Sequence, residues 1–389
     1  MLLEGLIGGL FNGISIGAVL LIVALGLAIV FGLMGVINLA HGELMMLGAY
    51  TTYVVQNGFR TMGESALNFY IFVALPLSFL VAALVGLALE RGVIRYLYGR
   101  PLETLLATWG VSLILRQFVR SVSWAMVIGL ILFCGLFFGG RWLLQRRQQQ
   151  VANWMSAVLL LLSAAIALIA GILINQNAGT ALTRPWFSAR NVDVTPPVWL
   201  RGGLALGNTL QFPYARLFII VLTVVCLVGV YWFLQRSAWG LRIRSVTQNR
   251  SMSACLGIPT ERVDALTFAL GSGLAGIAGC AVTLLGSVGP NLGSNYIVDA
   301  FMVVVVGGVG KLVGSIVAAM VIGIITYLVG SGTLALILTP FAGMQPLVDF
   351  FTFFATTSMA KVMVFALIIA FLQIKPAGMF PQKGRTVEA

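Results

Sequence analysis

Charged residues are scarce in this chain. Asp, Glu, Lys and Arg make up 9% of its 389 residues, whereas a typical soluble domain carries about 25%. Hydrophobic residues make up 60%, and the mean hydropathy is +1.03. This composition excludes a water-soluble globular fold and predicts that most of the outward surface faces lipid.

Histidine and cysteine are scarce as well. The chain has one His and four Cys, and the cysteines lie far apart without any C-x-x-C spacing. Neither a disulfide framework nor a metal site is therefore expected. Covalent catalysis needs a nucleophile within reach of a base, and nothing in the sequence pairs His41 with an activated Ser or Cys. We expect no catalytic residues and a chain that is not an enzyme.

Basic residues outnumber acidic ones by 23 to 11, which gives a net charge of +12. They fall in short loops between apolar runs and form no single patch, so we expect no nucleic-acid partner. They indicate topology instead, because cytoplasmic loops of membrane proteins are rich in Lys and Arg. Assigning the basic segments to the cytoplasm puts the N-terminus outside and the C-terminus inside. Those segments are 91–100, 141–147, 236–262 and 375–385.

The apolar residues fall into about eleven runs, most of them near the 20 residues that a membrane-crossing helix needs. They predict an all-α, polytopic transmembrane bundle of about 9–11 spans, forming one transmembrane domain over residues 1–389. The ninth run is short and predicts a broken or re-entrant helix. The runs are 6–31, 38–56, 69–89, 105–121, 124–140, 151–174, 213–234, 263–287, 297–310, 312–329 and 357–374.

Two glycine patterns imitate phosphate-binding loops. Residues 271–276 spell G-x-G-x-x-G, but inside an apolar run with no preceding strand. The GGVGKL segment at 307–312 lacks the first Gly of a Walker A loop and has Leu in place of its Ser or Thr. We therefore expect no cofactor on this chain. Small residues at this spacing indicate close helix packing instead. The residues concerned are Gly271, Ala275, Gly276 and Gly279.

Polar residues at the ends of spans are the candidates for a transport pathway, since intramembrane polar groups commonly line one. Asn38, His41 and Glu43 stand at the predicted inner end of the second span, where capping of that helix is the other interpretation. Toward the outer side, Asp299 fits either a pathway or an interfacial cap. We expect the pathway to involve Asn38, His41, Glu43, Asn295, Tyr296 and Asp299.

The segment 235–262 is the longest predicted cytoplasmic loop. It contains arginines and a run of small residues that ends at Pro259, a residue that favours a helix start or a turn. Two interpretations stand: an ordinary positive-inside loop, or a short helix on the inner membrane face that a partner protein grips.

Residues 32–56 read GLMGVINLAHGELMMLGAYTTYVVQ. This run resembles the signature of the branched-chain-amino-acid type of ABC-transporter permease. The segments 244–279, 289–310 and 384–389 are similar to one branch of that family, the urea permeases, and 191–203 points the same way. The resemblance covers about residues 1–121 and 187–389.

This resemblance implies a permease that forms a heterodimer with a second permease subunit in the bacterial inner membrane. Two cytoplasmic subunits would bind ATP and Mg²⁺, and an external protein would deliver the substrate. Urea is the substrate it implies, with branched-chain or other amino acids or amides as the alternative and a passive urea channel as a further one. It also favours an ATPase-coupling role for the 235–262 loop. The residues that it implicates there are Ser253, Ala254, Gly257, Ile258 and Pro259.

The chain departs from the family pattern at 122–186, where two extra apolar runs flank the basic segment RWLLQRRQQQ. Two spans are an even number, so the insertion leaves the orientation of later spans unchanged. We expect a hairpin facing lipid; a docking site for another subunit is the alternative.

Overall fold

The computed structural model describes residues 2–147, 153–177, 185–187, 190–206, 210–339 and 345–380. The chain divides into two compact units. The first comprises the chain up to Ser112 and from Val192 onward, and the second comprises Leu113–Asn191. The permease-like motifs at 32–56, 244–279 and 289–310 thus lie in the first unit, and the predicted insertion at 122–186 lies in the second.

Helices make up nearly all of the described structure. In chain order they are α1 Leu2–Met34, α2 His41–Arg60, α3 Glu64–Leu67, α4 Tyr70–Gly92, α5 Pro101–Ser121, α6 Trp124–Arg147, α7 Asn153–Asn177, α8 Tyr214–Arg236, α9 Ala238–Gln248, α10 Arg250–Cys255, α11 Thr260–Val282, α12 Leu292–Gly307, α13 Leu312–Gly330, α14 Thr333–Leu338, α15 Gln345–Phe353 and α16 Thr357–Ile374. Short 3-10 turns cover Ile94–Leu97 and Val198–Leu200. One antiparallel hairpin pairs β1 Gly203–Leu206 with β2 Leu210–Pro213.

The prediction of a polytopic helical bundle is confirmed. Each of the eleven predicted runs coincides with a helix. Within the described residues, seven helices are long and apolar enough to cross a membrane, and an eighth span results if α15 and α16 count as one bent span. The apolar helix α12 has only 16 residues, and α2 and α5 fall outside the seven.

The core of the first unit is built around α1 and α11. Every side chain of α1 from Gly17 to Val30 is buried, and α1 packs against α8, α11, α12 and α13. Most of α11 is buried as well, between α1, α2 and α4. In the second unit, α6 and α7 pack on each other and expose most of their apolar side chains.

Glycines allow the helix backbones of the core to touch. A Cβ added at Gly271 would lie 2.7 Å from Gly26 O, and one added at Gly48 would collide with the backbone of Gly276. Gly279 in turn lies against the backbone of Met45. Small residues spaced four apart on α11 therefore permit contacts that no larger residue allows.

Segments that the charge pattern assigns to the cytoplasm meet at one end of the first unit, called here the inner end. Arg95, after α4, pairs with Glu261 at the start of α11. The backbone N of Met379, in the C-terminal tail, donates to Val306 O at the end of α12 (2.8 Å).

Segments assigned to the outside meet at the other end. The side chains of Gln56, at the end of α2, and Tyr70, at the start of α4, donate to the carbonyl of Thr195 (2.6 and 3.1 Å). The indole of Trp199 donates to Asn68 O (2.9 Å). This grouping agrees with the alternation of spans predicted from charge.

Gly48→Ala is expected to destabilise the protein, because the new Cβ meets the backbone of Gly276, which has no side chain to move aside. An overpacked core site costs about 3 kcal/mol. The measurement is the thermal unfolding midpoint in detergent. Gly58→Ala is the matched control, since nothing lies within 4 Å of a Cβ there and Ala favours a helix over Gly. Equal midpoints for the two variants would contradict the close packing.

Candidate functional site

Helix α2 begins inside the bundle. The ring Nε2 of His41, its first residue, lies 3.2 Å from the carbonyl of Val23. Val23 is eleven residues before Met34 at the end of α1, which corresponds to about 16 Å of helix. Asn38, His41 and Glu43 thus lie at the start of the second span, as expected, but this start lies well within the bundle and not at its inner surface.

The turn before α2 is held by side chains as well as backbone. Asn38 Oδ1 accepts from Ala40 N (3.0 Å), and Thr108 Oγ1 on α5 accepts from Leu39 N (3.2 Å). The N-cap residue of α2 is Ala40, which makes no side-chain cap bond. Asn38 thus stabilises the turn that leads into α2. It does not cap the helix, so the capping interpretation does not hold for Asn38.

Glu43 lies in the first turn of α2 and is 1% exposed. Ser112 Oγ on α5 donates to its Oε1 (3.0 Å). A carboxylate near a helix N-terminus is favoured by the helix dipole. We call Asn38, His41, Glu43, Thr108 and Ser112 the central polar cluster; all five are buried.

The central polar cluster contains buried nitrogen atoms whose hydrogen-bonding capacity is unsatisfied within the described residues. Asn38 Nδ2 and His41 Nδ1 are buried, and neither has a hydrogen-bond partner within the described part of the chain. A buried polar atom without a partner is costly. Such groups at membrane depth, beside a helix that starts within the bundle, are typical of transport pathways.

The predicted outer residues lie on α12, with Asp299 buried in the middle of the helix. Its Oδ2 forms an ion pair with Lys361 Nζ on α16 at 2.8 Å, and the same ammonium donates to Asn295 O at 3.4 Å. Tyr296 lies on the same helix. Asp299 therefore faces α16, whereas His41 and Glu43 face α1 and α5. The pairing with Lys361 was not predicted from the sequence.

The predicted coupling residues form a compact turn at the inner end. Gly257 N donates to Ala254 O (3.0 Å) and Ile258 N donates to Ser253 O (3.1 Å). With Gly257 at φ +79°, this is the Schellman arrangement that closes a helix C-terminus. Pro259 then precedes α11 at its N-cap position. Asn249 caps α10, its Oδ1 accepting from Met252 N.

Apolar and small side chains project from this turn into solvent. Leu256 is 76% exposed and Met252 is 59% exposed, and Ala254, Cys255 and Gly257 are exposed beside them. Ser253 is buried. We call Met252–Gly257 the coupling surface, after the ATPase-coupling role that the resemblance implies for this loop. Exposed apolar groups occur at protein and membrane contacts.

The coupling surface is fixed to the bundle by Arg250, the first residue of α10. Its Nη2 lies 2.6 Å from Oδ2 of the buried Asp264 on α11, and its guanidinium lies 4.9 Å from the ring centre of Tyr98. Tyr98 in turn donates to Glu90 at the end of α4 (3.2 Å). The sequence analysis missed this network.

Burial, followed by the neighbouring carboxylates of Asp264 and Glu90, raises the pKa of the Tyr98 phenol. Tyr98 therefore stays protonated and keeps donating to Glu90. The α4–α5 loop, α4 and α11 are thus joined to the base of the coupling surface.

Within the described residues there is no group of three or more His, Cys, Asp or Glu that could hold a metal ion.

Comparison with known proteins gives a family match across most of the chain. A family profile described as branched-chain amino acid transport system / permease component matches residues 9–130 and 198–372. Both matched parts carry the features described above, the central polar cluster in the first and the coupling surface in the second. No solved structure matches the chain.

Curated relatives match over most of the chain as well. The high-affinity branched-chain amino acid transport system permease protein LivH of Salmonella typhimurium and that of Escherichia coli are each 23% identical over 317 residues, which covers 81% of this chain and 83% of theirs. BraD of Pseudomonas aeruginosa, a permease protein of the same description, is 24% identical over 321 residues with the same coverage.

Lys361→Met is expected to lower the thermal unfolding midpoint, because it leaves the Asp299 carboxylate buried without its cation. The loss is about 1–3 kcal/mol, toward the lower end because Lys361 is partly exposed. The double variant Asp299→Asn/Lys361→Met removes both charges and should recover most of the loss. Wild-type stability in the single variant would show that the pair contributes nothing.

Proposed function

The chain belongs to the family of branched-chain amino acid transport permeases, and from this premise we propose that it is the membrane-spanning permease subunit of an ATP-driven importer. The observation that carries the proposal is the family match over residues 9–130 and 198–372. Such a subunit needs polar groups at membrane depth, and α2 starts at such a depth. It also needs a contact for the ATP-binding subunits, for which the exposed coupling surface is the candidate.

Branched-chain amino acids are the substrate class that the relatives' names favour. An amino acid carries a carboxylate, which suits a helix N-terminus inside the membrane, and α2 offers one at the central polar cluster. We propose that Asn38 Nδ2 donates to the carboxylate of the substrate. His41 Nε2 donates to Val23 O, so Nδ1 of the neutral ring accepts from the substrate's ammonium group. Ser112 holds Glu43 in place. Asn295, Tyr296 and Asp299 are proposed to line the outer part of the path.

Urea is the second candidate, because the motifs at 244–279 and 289–310 resemble the urea branch. Urea is small and neutral, and it needs hydrogen-bonding groups but no charged site. Amide and imidazole groups such as those of Asn38 and His41 suit it too. The names of the relatives favour branched-chain amino acids over urea as the substrate.

The coupling surface is the proposed contact for the ATP-binding subunits, which would hold ATP and Mg²⁺. A rigid joint is required if movement of a bound subunit is to reach the membrane helices. The ion pair of Arg250 with the buried Asp264 supplies it, so motion at α10 is passed to α11 and, through Tyr98, to α4.

We propose that the rest of the importer comprises a second permease subunit, which forms a heterodimer with this chain, two ATP-binding subunits and an external substrate-binding protein. The assembly would lie in the bacterial inner membrane, surrounded by lipid. The second unit is proposed to be a lipid-facing hairpin, since α6 and α7 expose most of their apolar side chains.

Uptake of labelled substrate tests the proposal. Cells that lack their own uptake systems would express this chain with its partner subunits, with or without the ATP-binding subunits. We expect saturable leucine uptake that depends on those subunits and is competed by isoleucine and valine but not by urea. Urea uptake that leucine does not compete would favour the second candidate. Uptake that continues without the ATP-binding subunits would overturn the importer assignment.

Gly257→Leu is expected to abolish transport while membrane insertion is kept. The residue is exposed at φ +79°, so a side chain strains the turn by about 1–2 kcal/mol and obstructs the coupling surface. Gly63→Leu is the matched control: Gly63 is also exposed, at φ +113°, but lies between α2 and α3 at the other end. The measurements are uptake and the amount of folded protein. Normal transport by the Gly257 variant would contradict the coupling role and favour the interpretation of 235–262 as an ordinary positive-inside loop.

A further inference from the structure

A groove of about 970 Å³ opens at the inner end, between α1, α8 and α9 and the turn before α13. One wall is apolar and belongs to membrane-crossing helices, with Ile29 and Leu33 from α1 and Tyr231 and Leu234 from α8. The function proposed above makes no use of this groove.

The other wall of the groove is polar and cationic. Arg244 on α9 and Lys311 in the turn before α13 both line it, and no lining residue is acidic. Arg244 Nη1 donates to Gln235 Oε1 at 2.7 Å, and within the described residues neither cation forms an ion pair. A groove that joins an apolar wall to two cations is complementary to a ligand with an anionic head and an apolar tail.

We propose that this groove binds the phosphate headgroup of an anionic phospholipid through Arg244 and Lys311. Basic pockets between membrane helices on the cytoplasmic side bind such headgroups. The acyl chains would lie along the exposed apolar face of α8, which carries a second groove of about 410 Å³. That groove is lined by Val224, Val225, Val228, Gly229 and Trp232.

The position of α9 favours a lipid over a free phosphate ion. Ile243 and Val246 bury one face of this helix against the bundle, while Leu241 is 60% exposed on another face. Arg242 stacks on Trp239 at 4.8 Å. A short amphipathic helix with basic residues, an exposed Leu and a Trp is typical of a membrane interface.

Native mass spectrometry of the purified importer tests this site. Dioctanoyl phosphatidylglycerol is titrated against the wild type and against Arg244→Gln, Lys311→Gln and the double variant. Each cation near a membrane surface contributes about 1 kcal/mol, so we expect affinity to fall about fivefold in each single variant and about 30-fold in the double variant. Arg242→Gln is the matched control, since Arg242 is on the same helix but does not line the groove.

Two further ligands separate lipid from other anions. Dioctanoyl phosphatidylcholine has the tails without the net charge, and glycerol phosphate has the charge without the tails; both should bind more weakly than phosphatidylglycerol. Equal loss of phosphatidylglycerol in the Arg242 control would overturn the site, and so would glycerol phosphate binding as tightly as the lipid. Lys311→Gln keeps the test valid if Arg244→Gln disturbs α9 through Gln235. A cross-link from Tyr231→Cys to the second permease subunit, with no lipid bound, would assign the groove to that partner and overturn the proposal.

Discussion

The close approach of α2 to α11 and α12 is the contact on which the other features depend. Gly48 lies against Gly276, and Gly42 lies against Gly293 at the start of α12. Because neither side has a Cβ there, the first turns of α2 reach the middle of the bundle and carry His41 with them. A wider separation would leave the polar turn before α2 without its partners on α1 and α5.

Apolarity along the chain was enough to predict eleven of the helices but not the shorter ones such as α9, α14 and α15. Basic loops were enough to predict which segments share an end. Depth was not predictable: the run 38–56 has an ordinary length for a span, and hydropathy does not tell where its helix begins relative to α1. Rotation about the helix axis was not predictable either. Asp299 was a candidate pathway residue, yet its partner Lys361 is 62 residues away and nothing in the sequence indicates that their helices face each other.

At the coupling surface, too, the local backbone turn was predictable from the sequence, whereas the contact with a distant residue was not. Gly257 and Pro259 predict a turn between two helices, because glycine permits a positive φ and proline fixes φ and lacks an N–H donor. The anchor below that turn depends on Asp264, which becomes significant only once folding buries it opposite Arg250. The coupling surface therefore combines exposed apolar side chains, which a partner protein can contact, with an ion pair to a buried residue that holds them in place.

The scarcity of histidine noted first has a practical consequence once His41 is placed. An isotope label on histidine marks a single imidazole in 389 residues, and that imidazole lies 3.2 Å from a carbonyl of α1 in the middle of the bundle. Its two ring nitrogens differ, one facing Val23 and the other left open. One spectroscopic signal can therefore follow the interior of this subunit when it alone carries the label, with no mutation and no probe attached.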